Sequence, residues 1–150
     1  MKVVEIKKFG GPEVLKIGSQ PIPTPKKNEV LIMVKAAGIN RPDILQREGN
    51  YPPPKGASDI LGLEVAGKVS KIGKDVENIK VGDSVCALVS GGGYAEYCSA
   101  PYTQCLPIPS GLSYEEASTL PETFFTIWFN LFIKYKIKKK QKILIHGGSS

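Results

Sequence analysis

Along its first 110 residues the chain carries short apolar blocks separated by Gly and Pro, a pattern that suits strands better than helices. Val3-Val4-Glu5-Ile6 opens a first strand, and Gly10-Gly11-Pro12 ends it. Val30-Leu31-Ile32-Met33-Val34 has no polar face, which predicts a central strand covered on both sides. Further strands are expected at 65–69, 84–89 and 94–98, with Val81-Gly82-Asp83 turning the chain before the second of these. Pro21-Ile22-Pro23-Thr24-Pro25 lacks the N–H groups a ladder needs and reads as extended surface chain. Regular short strands with glycine punctuation predict a small, partly open β-barrel.

The pattern then changes. Ser113-Tyr114-Glu115-Glu116 is a capping box, in which Ser113 accepts from the Glu116 amide while Glu116 reaches back to the Ser113 amide. A short helix to Leu120 should follow. Pro121 suits the first turn of a second helix running through Phe124, Phe125, Ile127, Trp128, Phe129, Leu131, Phe132 and Ile133. That helix is apolar nearly all round, so it calls for cover on several sides, and it is too short to cross a bilayer. Lys142-Ile143-Leu144-Ile145-His146 reads as a buried strand, and Gly147-Gly148-Ser149-Ser150 as the tight turn after the first strand of a dinucleotide-binding unit. Such a unit also needs a helix N-terminus facing the pyrophosphate and a second strand. The chain therefore reads as the front part of a nucleotide-dependent enzyme.

Composition narrows the classes. With 41% apolar residues, 150 residues suffice for one sizeable core, while 16 Gly and 12 Pro argue against a helical bundle. No apolar run is long enough to span a membrane, and Met1-Lys2-Val3-Val4-Glu5 does not begin a signal peptide, so a cytoplasmic protein is expected. The net charge of +6 is local: Lys134, Lys136, Lys138, Lys139, Lys140 and Lys142 are six cations in one tract. Removing these six from 20 Lys and Arg leaves 14, equal to the 14 Asp and Glu. A solvated helix end and loop is favoured over a nucleic-acid patch, since no aromatic residues or second basic cluster accompany the tract. Cys86, Cys98 and Cys105 fit neither a disulfide framework nor paired zinc spacing, and read as reduced, buried thiols.

Five ordered motifs carry a resemblance. Gly10-Gly11-Pro12-Glu13-Val14-Leu15, Gly38-Ile39-Asn40-Arg41-Pro42-Asp43 and Gln46-Arg47-x-Gly49-x-Tyr51-Pro52-Pro53-Pro54 come first. Leu61-Gly62-Leu63-Glu64-Val65-Ala66-Gly67 and Val81-Gly82-Asp83-Ser84-Val85 follow. Together they resemble the zinc-free quinone oxidoreductases of the medium-chain dehydrogenase/reductase superfamily. The resemblance implies a mainly β, α+β chain: a GroES-like, partly open β-barrel over 1–120, then a connecting helix and the first strand and phosphate-loop start of a Rossmann domain over 121–150. It also implies a parent about twice this length, homodimeric, using NADPH and no metal to reduce a quinone or another activated carbonyl or alkene. The 150-residue chain by itself is expected to be inactive. Zinc-dependent alcohol dehydrogenases of the superfamily carry Cys and His where this chain has Asn40 and Leu63, which removes two donors of a zinc site.

By the same resemblance Asn40 and Tyr51 are the expected catalytic residues. Without a Lewis acid, charge developing on a carbonyl oxygen must be met by hydrogen-bond donors. Asn40 is expected to line the cleft near the nicotinamide, against the alternative of an ordinary turn residue. Tyr51, held by the stiff Pro52-Pro53-Pro54 run, is expected to stack on substrate and donate a hydrogen bond, against simple packing on the prolines. Arg41, Asp43, Thr126, Gly147, Gly148, Ser149 and Ser150 complete the expected cofactor-binding set. For Thr126 the alternative is a bond from its hydroxyl to the Glu122 carbonyl. Reduction of an enone or enoyl thioester, or a structural or nucleic-acid-binding role, are the competing functions.

Overall fold

The computed structural model describes residues 1–147. Two antiparallel sheets account for its strands. The smaller pairs β1 (Lys2–Ile6) with β2 (Leu15–Ser19), Val4 opposite Ile17. The larger contains β3 (Glu29–Ala37), β4 (Glu64–Ile72), β5 (Ser84–Leu88), β6 (Tyr97–Pro101) and β7 (Cys105–Pro107), in the order β6-β3-β4-β5-β7. A bridge between Val3 and Ala95 ties β1 to the segment leading into β6.

The large sheet is rolled. Its two edge strands, β6 and β7, are joined by only Tyr102–Gln104. Such a link spans at most about 14 Å, whereas a flat five-stranded sheet holds its edges about 19 Å apart. This gives the partly open barrel that the glycine-punctuated pattern predicts. Val30, Ile32, Val65, Val69, Val85, Ala87, Cys98 and Ala100 fill it. Leu31 is buried on the opposite face of β3, so the strand is covered on both sides as its unbroken apolar run requires. Ala66 and Cys86 pack on that outer face against Ala117 of α2 (Tyr114–Ala117).

Several elements differ from the sequence reading. The strand expected at 94–98 begins at Tyr97 and extends to Pro101, and β2 and β7 are additional. A seven-residue helix, α1 (Arg41–Arg47), follows β3; Asp43 in its first turn and Arg47 in its last complement its dipole. The Ser113–Glu116 capping box forms as expected, with bonds of 3.2 and 2.8 Å, but α2 lasts only one turn. The second helix, α3 (Pro121–Trp128), continues as a π-type turn over Phe129–Lys134. Its apolar faces are not covered by the described residues: Phe124 and Trp128 are each 58% exposed. The segment 142–146 forms no strand, because no neighbouring strand among the described residues is there to pair with its backbone groups.

Candidate functional site

The end of β3, the start of α1, the start of β4 and the start of α3 meet around two buried carboxylates. Lys35 is unpaired in β3, between Val34 opposite Gly67 and Ala36 opposite Ala66, and this bulge re-aims the strand as it leads into Gly38 and Asn40. Asn40 is the N-cap of α1, with extended backbone. Its backbone N–H donates to Asp43 Oδ2 at 2.8 Å, closing the first turn.

Asp43 is 4% exposed, yet its carboxylate is well supplied with donors. Oδ2 also accepts from the Tyr94 hydroxyl at 2.9 Å, and Oδ1 accepts from the Gly62 amide at 3.1 Å. Gly62 has φ +99°, and a Cβ there would run into the Tyr94 ring and the Gly93 backbone. Only glycine lets this strand entry approach closely enough to donate.

Glu64, at the start of β4, is 2% exposed. Its Oε1 accepts from Asn40 Nδ2 and its Oε2 from the Glu122 backbone N–H, both at 2.9 Å. None of the four ion pairs among the described residues involves Asp43, Glu64 or Glu122. The two buried carboxylates are thus met by neutral donors alone, which supply the hydrogen bonds that buried charge demands. The field they create is visible in their neighbours. Burial, the bond to Asp43 and the charges of Asp43 and Glu64 hold the Tyr94 phenol well above its ordinary range. Burial first, then Glu64 and Asp43, push the Glu122 carboxyl upward.

Of the expected site residues, the structure brings Asn40 and Asp43 into this network. Thr126 lies one turn beyond Glu122 on α3, and its hydroxyl donates to the Glu122 carbonyl at 2.7 Å, the alternative considered for it. Arg41 is exposed at the first position of α1. Tyr51 is 42% exposed on the loop after α1 and takes no part in the network. Gly147 is exposed with φ +58°, while Gly148, Ser149 and Ser150 lie outside the described residues.

Glu64, Tyr94 and Glu122 were not singled out from sequence. For Glu64 there was a usable signal: a lone carboxylate inside the apolar run Leu61–Gly67 must find partners or unfold its strand. Asn40 Nδ2 carries two N–H groups, and Glu64 engages one. The other has no hydrogen-bond partner among the described residues. Among the described residues no three His, Cys, Asp or Glu side chains gather where they could hold a metal ion. No helix of the described residues is long and apolar enough to cross a membrane.

Residues 26–110 match the alcohol dehydrogenase GroES-like domain family. Over 151 aligned residues the chain is 36% identical to a quinone oxidoreductase of Sus scrofa, covering 99% of this chain and 46% of that protein. A solved mycobacterial quinone oxidoreductase superposes with a TM-score of 0.86 at 33% identity, covering 100% of this chain and 46% of its own. The Escherichia coli quinone oxidoreductase, solved in complex with NADPH, gives a TM-score of 0.79 at 35% identity over 92% of this chain and 42% of that one. The chain thus spans about half the length of the curated relatives it matches.

Proposed function

The chain belongs to the alcohol dehydrogenase GroES-like domain family, and from that premise we propose that it forms the substrate-side part of an NADPH-dependent, zinc-independent quinone oxidoreductase. In this reading residues 1–120 are the substrate-side domain, and 121–150 connect it to a nucleotide-binding domain. The similarity to quinone oxidoreductases, one of them solved with NADPH, supports an oxidoreductase of this kind. The observation that carries the mechanism is the Asn40 amide, held at 2.9 Å by Glu64 with its second N–H unspent.

NADPH supplies a hydride when bound. The chain's own residues do the rest. As hydride reaches a quinone carbon, negative charge grows on the carbonyl oxygen, and the Asn40 N–H stabilises it in place of a metal. Tyr51 adds an aromatic wall and a second donor from a loop stiffened by Pro52, Pro53 and Pro54. The buried Asp43 and Glu64 carboxylates would favour a cationic ring, such as an oxidised nicotinamide, held beside them. Asn40, through its Oδ1, and Thr126 are assigned to the nicotinamide end, Arg41 to the approach of the cofactor, and Gly147, Gly148, Ser149 and Ser150 to the pyrophosphate.

The test is loss of NADPH absorbance by the complete protein with naphthoquinone as acceptor. Turnover is expected in the wild type, and Tyr51→Phe is expected to lower kcat/KM for quinone by roughly 5- to 150-fold, the loss of one donor worth about 1–3 kcal/mol in the transition state. Absence of NADPH consumption with quinones would overturn the reading.

A further inference from the structure

Glu64 is more than a buried charge made tolerable by two donors. One carboxylate joins the side chain of Asn40 to the backbone at the start of α3, segments 24 and 58 residues away from it in sequence. We propose that Glu64 is the positioning residue of the site: a two-headed acceptor that fixes the rotamer of Asn40 and, through the Glu122 amide, the distance between Asn40 and the first turns of α3. The proposal rests on the reading of Asn40 as the donor to the substrate oxygen.

Asn40 Nδ2 and Glu122 N are both donors, each 2.9 Å from a different oxygen of Glu64. Only a group that accepts at both ends satisfies them together, and an ionised carboxylate does so. A glutamine of the same shape offers one carbonyl and one NH₂. With its carbonyl on the Glu122 amide, its NH₂ faces Asn40, which must turn its own amide over to Oδ1 and so withdraw the Nδ2 donor from its wild-type place. Aspartate is a methylene shorter and reaches one partner at a time.

Gly38 shows how closely the bracket is built in. Its backbone N–H donates to the Glu64 carbonyl at 3.3 Å, and a Cβ on it would overlap the Glu64 carboxylate and press on Cδ and Cγ. The end of a long side chain normally moves aside at little cost. This one is buried and bonded at both oxygens, so it has nowhere to go without releasing a partner. Gly38 therefore acts as the seat of the bracket, and Gly38→Ala displaces the carboxylate without removing it. A shift of about 1 Å in a donor of this kind costs on the order of 10²-fold in rate.

The readout that needs no turnover is the Asn40 side-chain amide in the ¹⁵N-labelled wild-type protein. One Nδ2 proton is expected to be protected from solvent exchange and the other to exchange freely. Two freely exchanging protons would overturn the proposal. In the complete protein, Glu64→Gln and Gly38→Ala should each lower kcat by on the order of 10²-fold with little change in KM for NADPH. The double variant Asn40→Ala/Glu64→Gln should be no slower than Asn40→Ala, because a positioning group has nothing left to position. Multiplicative losses in the double variant, or full activity in both single variants, would contradict it. An Asn40→Ala protein with unchanged kcat would instead remove the functional reading on which the proposal stands, so the two failures are separable. Retained protection of the three buried thiols against a thiol reagent reports that each variant is folded.

Discussion

Tyr94 donates its hydroxyl to Asp43 at 2.9 Å across 51 residues of sequence, and the same hydroxyl lies 3.2 Å from the Gly38 carbonyl. This contact links the loop before β6 to the first turn of α1 and keeps the Asp43 carboxylate aimed at the Asn40 amide. It is a long-range clasp on the site, made by a neutral donor to a buried charge.

Tyr94→Phe should therefore cost about 1–3 kcal/mol of stability, because it leaves a buried carboxylate short of one donor. A denaturant midpoint measures the loss. The pH dependence follows from the raised phenol pKa: the stabilisation is full below the ordinary tyrosine value of 10 and declines as pH rises past it toward the folded-state value. In a spectrophotometric titration one tyrosine of the wild type should lag the others, and Tyr94→Phe should abolish the lag. Unchanged titration in the variant would place the slow phenol elsewhere.

The three cysteines should be inert. All are buried and unpaired; burial raises Cys86 above its usual range and pushes both Cys98 and Cys105 up to about 12. At about pH 8 their thiolate fractions are small. A chromogenic disulfide reagent should find no thiol in the folded protein and three after unfolding. Rapid labelling of the folded protein would contradict the burial described here.

Glu122 gives a prediction of opposite sense to the usual carboxylate. Its pKa is raised by burial, then by Glu64 and Asp43, so the protonated form is favoured on folding. Stability from this group is full below its ordinary value of 4.5 and is lost as pH rises through the higher folded value. Glu122→Gln should therefore raise Tm at neutral pH, with the gain vanishing in acid below that value. A Tm lowered at neutral pH would show that the helix N-terminus outweighs the two neighbouring carboxylates.

Much of the barrel was legible because its strands bury apolar runs. Val30–Val34 announced a strand covered on both faces, and Ser113 with Glu116 announced a helix start. The edge strand β2 was not legible, since Leu15, Lys16 and Ile17 are all exposed and its pattern reflects no buried face. Helix α1 was missed because seven residues with an early proline give little periodicity to read. At the site, Asn40 and Asp43 came from the resemblance rather than from local pattern. Their partners Tyr94 and Glu64 sit 51 and 24 residues away, and Glu122 lies 58 residues from Glu64, so only the fold brings them together. The helix around Trp128 calls for cover that the described residues do not supply, a demand legible from its composition alone.

Hydride transfer to a quinone in the proposed parent needs no metal, since hydrogen-bond donors stand in the metal's place. The most direct measurement is the turnover of NADPH and naphthoquinone by the complete protein after exhaustive dialysis against chelator, with zinc quantified in the same sample. Full turnover is expected at substoichiometric zinc, with no stimulation when zinc is restored. Activity that disappears with the metal and returns with it would contradict the account.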